Sequence, residues 1–80
     1  MNSKDLPYNS RITHNPKVMG GRPIIRGMRV TVGMILGQLA GGHTADEILG
    51  AYPYLEREDI SAALEYAAWR VQELDRSPGS

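Results

Sequence analysis

The chain of 80 residues contains no cysteine, so neither a disulfide nor a thiolate metal site can brace it. Its two histidines, His14 and His43, lie far apart with no ligand-like spacing around them, which gives no basis for a resident metal or cofactor. No apolar run approaches the ~20 residues of a membrane span. The opening "MNSKDLPYNS" lacks the apolar core of a secretory signal, so a cytoplasmic address is expected by default. Acidic residues are nearly missing from the first half. Residues 1–40 carry Lys4, Arg11, Lys17, Arg22, Arg26 and Arg29 against Asp5 alone, a net of +5. Residues 41–80 carry Arg57, Arg70 and Arg76 against eight acids, a net of −5, so the neutral total hides a split. Such asymmetry points either to two partners of opposite character or to halves that attract each other.

A single domain of this size buries only ~60–65% of its unfolded surface. Small scaffolds supplement such a core with a disulfide, a metal or a second subunit. With the first two absent, oligomerisation is the expected supplement. The domain is expected over 11–75, with 1–10 as a flexible arm and 76–80 as a flexible tail.

The basic residues concentrate in "VMGGRPIIRGMRV", residues 18–30, which has three arginines, three glycines and no acid. "RIT" at 11–13 is a short strand candidate. "PIIRGMRVTV" reads as extended, with a bulge or bend at Gly27. Together they predict a two-stranded ribbon that needs helices or another subunit beside it.

Helical spacing begins at Val32, with Val32, Ile35, Leu36 and Leu39 on one stripe, Thr31 as N-cap and Gly41-Gly42 as the stop. Gly33 and Gly37 lie four apart, a spacing that admits close approach of a neighbouring backbone. "TADE" at 44–47 fits a capping box, Thr44 at N-cap and Glu47 at N3. A second, short helix then buries Ala45, Ile48, Leu49 and Tyr52 and ends before Pro53. A third helix is expected from about Glu56 to Asp75. Glu56 is a poor N-cap, compensated by Glu58 and Asp59 at the helix's positive end. Ile60, Leu64, Ala67, Val71 and Leu74 form a narrow stripe expected to face the core. At ~100° per residue, Ala62, Tyr66 and Trp69 fall roughly 160–240° from Ile60, a second apolar face expected to meet a partner subunit or protein unless an N-terminal segment folds back over it.

The expected fold is mainly α: a helix-turn-helix of three helices with a short N-terminal β-ribbon, dimeric. The basic ribbon favours DNA, with Arg22, Arg26, Arg29 and Arg57 as the DNA-binding candidates. The third helix opens on the acidic "EREDIS", which disfavours its entry into the major groove. Catalysis finds no support, because there is no nucleophile with a base at a recognisable spacing and Gly20-Gly21-Arg22 lacks the Gly-Lys-Ser/Thr of a phosphate loop.

Residues 11–68 resemble the domain of unknown function 433 family. The matching words are Asn15-Pro16, Gly20-Gly21-Arg22-Pro23-Ile24-Ile25-Arg26-Gly27, Arg29-Val30, Glu47-Ile48-Leu49, Tyr52-Pro53, Leu55, Asp59-Ile60 and Tyr66-Ala67. Two positions depart from it: Met28 and Glu56 stand where threonine, or threonine or serine, is common. The resemblance implies a VapB-like antitoxin of a type II toxin-antitoxin pair. Such a protein forms a homodimer or higher oligomer, neutralises a PIN-like ribonuclease toxin, and binds operator DNA to repress its own operon. The alternative is a protein-interaction module without DNA binding.

Overall fold

The structure, a computed structural model, describes residues 9–75. Most of the expected arm and the whole expected tail lie outside the described residues. Two short strands, β1 (Ile12–Thr13) and β2 (Ile24–Ile25), pair antiparallel with Ile12 opposite Ile25 and Thr13 opposite Ile24. A 3-10 turn, Met19–Gly21, lies in the connection between them. The bend expected at Gly27 is a full reversal. Arg26 and Gly27 take φ of 46° and 73°, and the Met28 N–H donates to the Ile25 carbonyl at 2.8 Å. Consecutive positive φ values are the signature of a type I′ turn, whose twist suits a tight hairpin. The chain therefore folds back on β2: the Ile25 N–H donates to the Val30 carbonyl at 2.9 Å, and Thr31 bridges to Ile24. The extended segment expected over 23–32 is thus two short arms of a second hairpin.

Three helices follow, α1 (Val32–Ala40), α2 (Ala45–Ala51) and α3 (Arg57–Asp75). Thr31 caps α1 by accepting from the Met34 N–H at 3.0 Å, and Met34 Sδ lies 3.5 Å from the Thr31 N–H in return. Thr44 and Glu47 form the expected reciprocal box on α2, at 3.1 and 2.8 Å. Gly42, with φ of 96°, takes the left-handed conformation that ends α1. Among the described residues no backbone approaches the Gly33/Gly37 pair. A Cβ at Gly37 would meet nothing within 4 Å, and one at Gly33 only the Thr31 hydroxyl at 3.8 Å.

One core joins all the elements: Ile12, Ile25, Val30, Val32, Ile35, Ile48, Leu55, Ile60, Ala62, Ala63 and Tyr66. α3 packs most extensively on α1 and also meets α2 and β1. Its rotation differs from the expected one. Ala62 and Tyr66 are buried and Trp69 packs against the core, whereas Leu64, Val71 and Leu74 are exposed. The partner interface expected at Ala62, Tyr66 and Trp69 is therefore a correction, since this face belongs to the chain's own core. Its cover is the chain on either side of β1. Asn9 Nδ2 donates to the Ala62 carbonyl at 3.3 Å and to Glu65 Oε1 at 2.9 Å, and the His14 ring stands 6.1 Å from that of Tyr66. Asn9, placed in the expected flexible arm, is thus fastened to α3. The physical reason for the rotation is Asp59. At 3.6 residues per turn it shares a face with Ala62, Ala63, Tyr66 and Trp69, and that face turns inward to bring its carboxylate to two arginines.

Candidate nucleic-acid interface and the arginine clamp behind it

Asp59 is fully buried, and both its carboxylate oxygens are shared between donors from separate parts of the chain. Oδ1 accepts from Arg11 Nη1 at 2.8 Å and from Arg26 Nε at 3.0 Å. Oδ2 accepts from Arg26 Nη2 at 2.7 Å and from the Glu56 backbone N–H at 2.8 Å. Arg26 therefore grips the carboxylate with a two-pronged fork, the geometry for which guanidinium is suited. Its Nη2 also donates to the Tyr54 carbonyl at 3.1 Å, and Arg11 Nη1 reaches Glu56 Oε1 at 2.7 Å. The Arg26 backbone N–H donates to the Arg11 carbonyl at 2.8 Å, so the two arginines are fastened to each other as well. Positive φ at a non-glycine residue is a costly conformation that persists only where surroundings hold it. At Arg26 the fork on Asp59 supplies that hold.

The bond from the Glu56 N–H makes Asp59 the capping group of α3. It is the half of a capping box in which the N3 side chain reaches back, and it serves where residue 56 provides no hydroxyl. Burial acts to raise the Asp59 pKa. The hydrogen bonds from Arg26, the Glu56 backbone and Arg11 outweigh it and hold the carboxyl at about 2, below its ordinary 3.8.

The four arginines expected at DNA separate into two pairs. Arg26 is committed to Asp59, and Arg57 is ion-paired with Asp46 across the α2–α3 hairpin. Each carboxylate offsets part of the charge that its guanidinium could offer a phosphate, strongly at the buried Asp59 and weakly at the exposed Asp46. Arg22 and Arg29 are exposed, and neither guanidinium has a hydrogen-bond or ion-pair partner among the described residues. Arg22 stands at a shallow cleft with Pro23, Thr31, Gly33 and Met34, beside the start of α1. Arg29 lies between the Arg26–Gly27 turn and the second arm of that hairpin. Lys17, in the connection between β1 and β2, is likewise exposed with its ammonium unpaired among the described residues.

Arg11 and Asp59 are the residues that sequence reasoning missed as a unit. Arg11 entered only as one cation among six, and Asp59 only as a charge near a helix terminus. The available signal was local: a weak N-cap at Glu56 with an acid three residues later, the spacing of a cap made from within the helix. Among the described residues, no group of three or more His, Cys, Asp or Glu is placed to hold a metal ion, and no helix is long and apolar enough to cross a membrane.

A hairpin pinned to a three-helix domain by a buried carboxylate, with the α2–α3 pair in helix-turn-helix order, is the class this structure defines. The family model described as "Protein of unknown function (DUF433)" matches residues 12–67, and the chain belongs to that family. It is similar to uncharacterized protein y4eO of Sinorhizobium fredii, 39% identical over 56 residues, covering 70% of this chain and 25% of that protein. It is also similar to the crystal structure of a DUF433 member from Anabaena variabilis. There the TM-score is 0.73 at 35% identity, covering 82% of this chain and 65% of that one. The chain thus spans a quarter of the length of the first relative and about two thirds of the second.

Proposed function

We propose that the domain is a DNA-binding regulator of the antitoxin type, acting as paired copies in the cytoplasm, with Arg22 and Arg29 as its phosphate contacts. The observation that supports this reading is the contrast within the ribbon: Arg26 is held by Asp59, while Arg22 and Arg29 stay exposed and unpaired among the described residues. An unpaired guanidinium meets phosphate without first giving up a carboxylate, so its charge is available for binding, and its planar fork limits the freedom lost per hydrogen bond formed. The same two arginines suit the acidic, metal-binding site of a PIN-like ribonuclease toxin, the partner that the family resemblance implies. No chemistry is needed in either role; occupancy of the operator or of the nuclease site is the mechanism.

Two free arginines on each of two copies release about four counterions, which predicts a slope of roughly −3 to −4 in log affinity against log salt. The test is a salt titration of binding to the protein's own promoter. Arg22→Ala with Arg29→Ala is expected to flatten the slope by most of that amount, while Arg57→Ala leaves it nearly unchanged. An unaltered slope in the double variant removes the ribbon from the DNA contact.

The second reading is a protein-interaction module without DNA binding. It is favoured by the carboxylates that hold Arg26 and Arg57, and by the exposed Glu58 at the start of α3, which repels phosphate. Absence of any promoter complex at low salt, together with a stable complex on co-expression with the neighbouring gene product, selects it.

A further inference from the structure

The stripe that was expected to be core stands open along the second half of α3. Leu64, Val71 and Leu74 are 49%, 55% and 62% exposed, with Ala67 between them. Their spacings of three, four and three residues are those of a coiled-coil seam, with Leu64 and Val71 at a and Ala67 and Leu74 at d. In the second layer, β-branched Val71 at a with Leu74 at d is the combination that favours two parallel strands, while the first layer, Leu64 with Ala67, adds apolar contact without selecting strand number. The flanking charges agree. Arg70 falls at g and Asp75 at the next e, the positions that meet between helices when two strands run parallel and in register. On the other side of the helix, Tyr66 and Trp69 fasten α3 to its own core, which leaves the seam facing outward.

From the seam and its charge pattern we propose that a second copy of this chain covers the stripe, residues 64–75 of the two chains pairing as a short, parallel, in-register coil. Parallel pairing sets the first halves of both α3 helices at one end of the assembly. The hairpins clamped there through Asp59 then point the same way, toward a common ligand. The proposal deepens the paired-copy part of the function above and rests on it in that respect alone; it needs neither DNA nor a nuclease. Twelve helical residues give a contact only ~18 Å long, at the small end for a stable interface, so the association depends on concentration.

The natural chain has no cysteine, so single-cysteine variants report without background. Leu74→Cys is expected to give a disulfide-linked pair on mild oxidation, because in-register parallel strands place both copies of residue 74 side by side. Val71→Asp is expected to sediment as a monomer with its helicity retained, since this side chain is already exposed in the single chain, and its melting temperature no longer rises with protein concentration as that of the paired wild type does. Arg70→Glu or Asp75→Lys alone is expected to weaken self-association by about two- to fivefold, and the two together to restore it. A wild-type chain that sediments as a monomer at every attainable concentration overturns the proposal and the paired-copy reading together. A pair that survives Val71→Asp, or that fails to cross-link at residue 74, overturns this geometry alone.

Discussion

Replacing Asp59 with alanine lowers the folding stability of the domain by about 3 kcal/mol, measured as the change in urea unfolding free energy. Breaking a buried ion pair typically costs ~3–5 kcal/mol. The lower end applies because the side chains of Arg11 and Arg26 are 33% and 36% exposed and regain water when the carboxylate is gone. A domain of this length holds in total about 4–12 kcal/mol, so the variant is left near the edge of folding. A loss below ~1 kcal/mol would show that the clamp contributes little. The converse change, removing Arg11 and Arg26 together, leaves a carboxylate buried without its cations. It is expected to be the more damaging of the two, because Asp59 itself has no access to water.

The same residue governs the acid limb of stability. Its carboxyl is held at about 2 in the folded chain against an ordinary 3.8. A folded pKa below the unfolded one means that protons bind the unfolded chain more readily. The stabilisation is therefore complete above about pH 4 and disappears as pH falls through about 2. Melting temperatures measured from pH 5 down to pH 2 should fall steeply in the wild type. Asp59→Asn removes this share of the decline.

Ile25→Ala is the second large effect, about 2–5 kcal/mol by urea unfolding, the range for an isoleucine truncated in a packed core. Ile25 is 0% exposed, faces Ile12 across the β1–β2 pair, and immediately precedes Arg26. Its own N–H and carbonyl close the turn that sets Arg26 at positive φ. Loosening it therefore unseats the arginine fork as well as opening a cavity. Ile48→Ala provides the comparison, being equally buried at 1% exposure but on α2, outside the hairpin. The Ile25 variant should lose more. Equal losses would show that the hairpin's packing is not coupled to the clamp.

Much of the helical framework was legible because its causes are local. Thr31 and Thr44 cap with bonds to backbone three residues away, and Gly42 and Pro53 stop helices by their own conformational limits. The Arg26–Gly27 reversal was only half legible. Glycine announces a bend, but nothing local shows that an arginine will accept a left-handed backbone beside it. The hold comes from Asp59, 33 residues away in sequence. The rotation of α3 was misjudged for a related reason. Two apolar faces compete along that helix, and the more regular one, Leu64 to Leu74, has the stronger pattern. A polar residue, Asp59, decides between them, whereas hydrophobic periodicity counts a carboxylate as surface.

The candidate contact set shows the same limit. Four arginines looked alike in the chain, since charge and neighbours along the sequence are all that a sequence displays. Among the described residues, two of them lie within reach of carboxylates and two do not, which depends on distances across the fold.

By itself the sequence determined the element order, the helix starts and stops, the absence of disulfides and the split of charge between the halves, because each follows from residue type and near-neighbour spacing. Only the tertiary structure decided which face of α3 is inside and which arginines are paired with carboxylates. Both turn on burying one carboxylate, and a buried charge must find its counterions wherever the folded chain brings them.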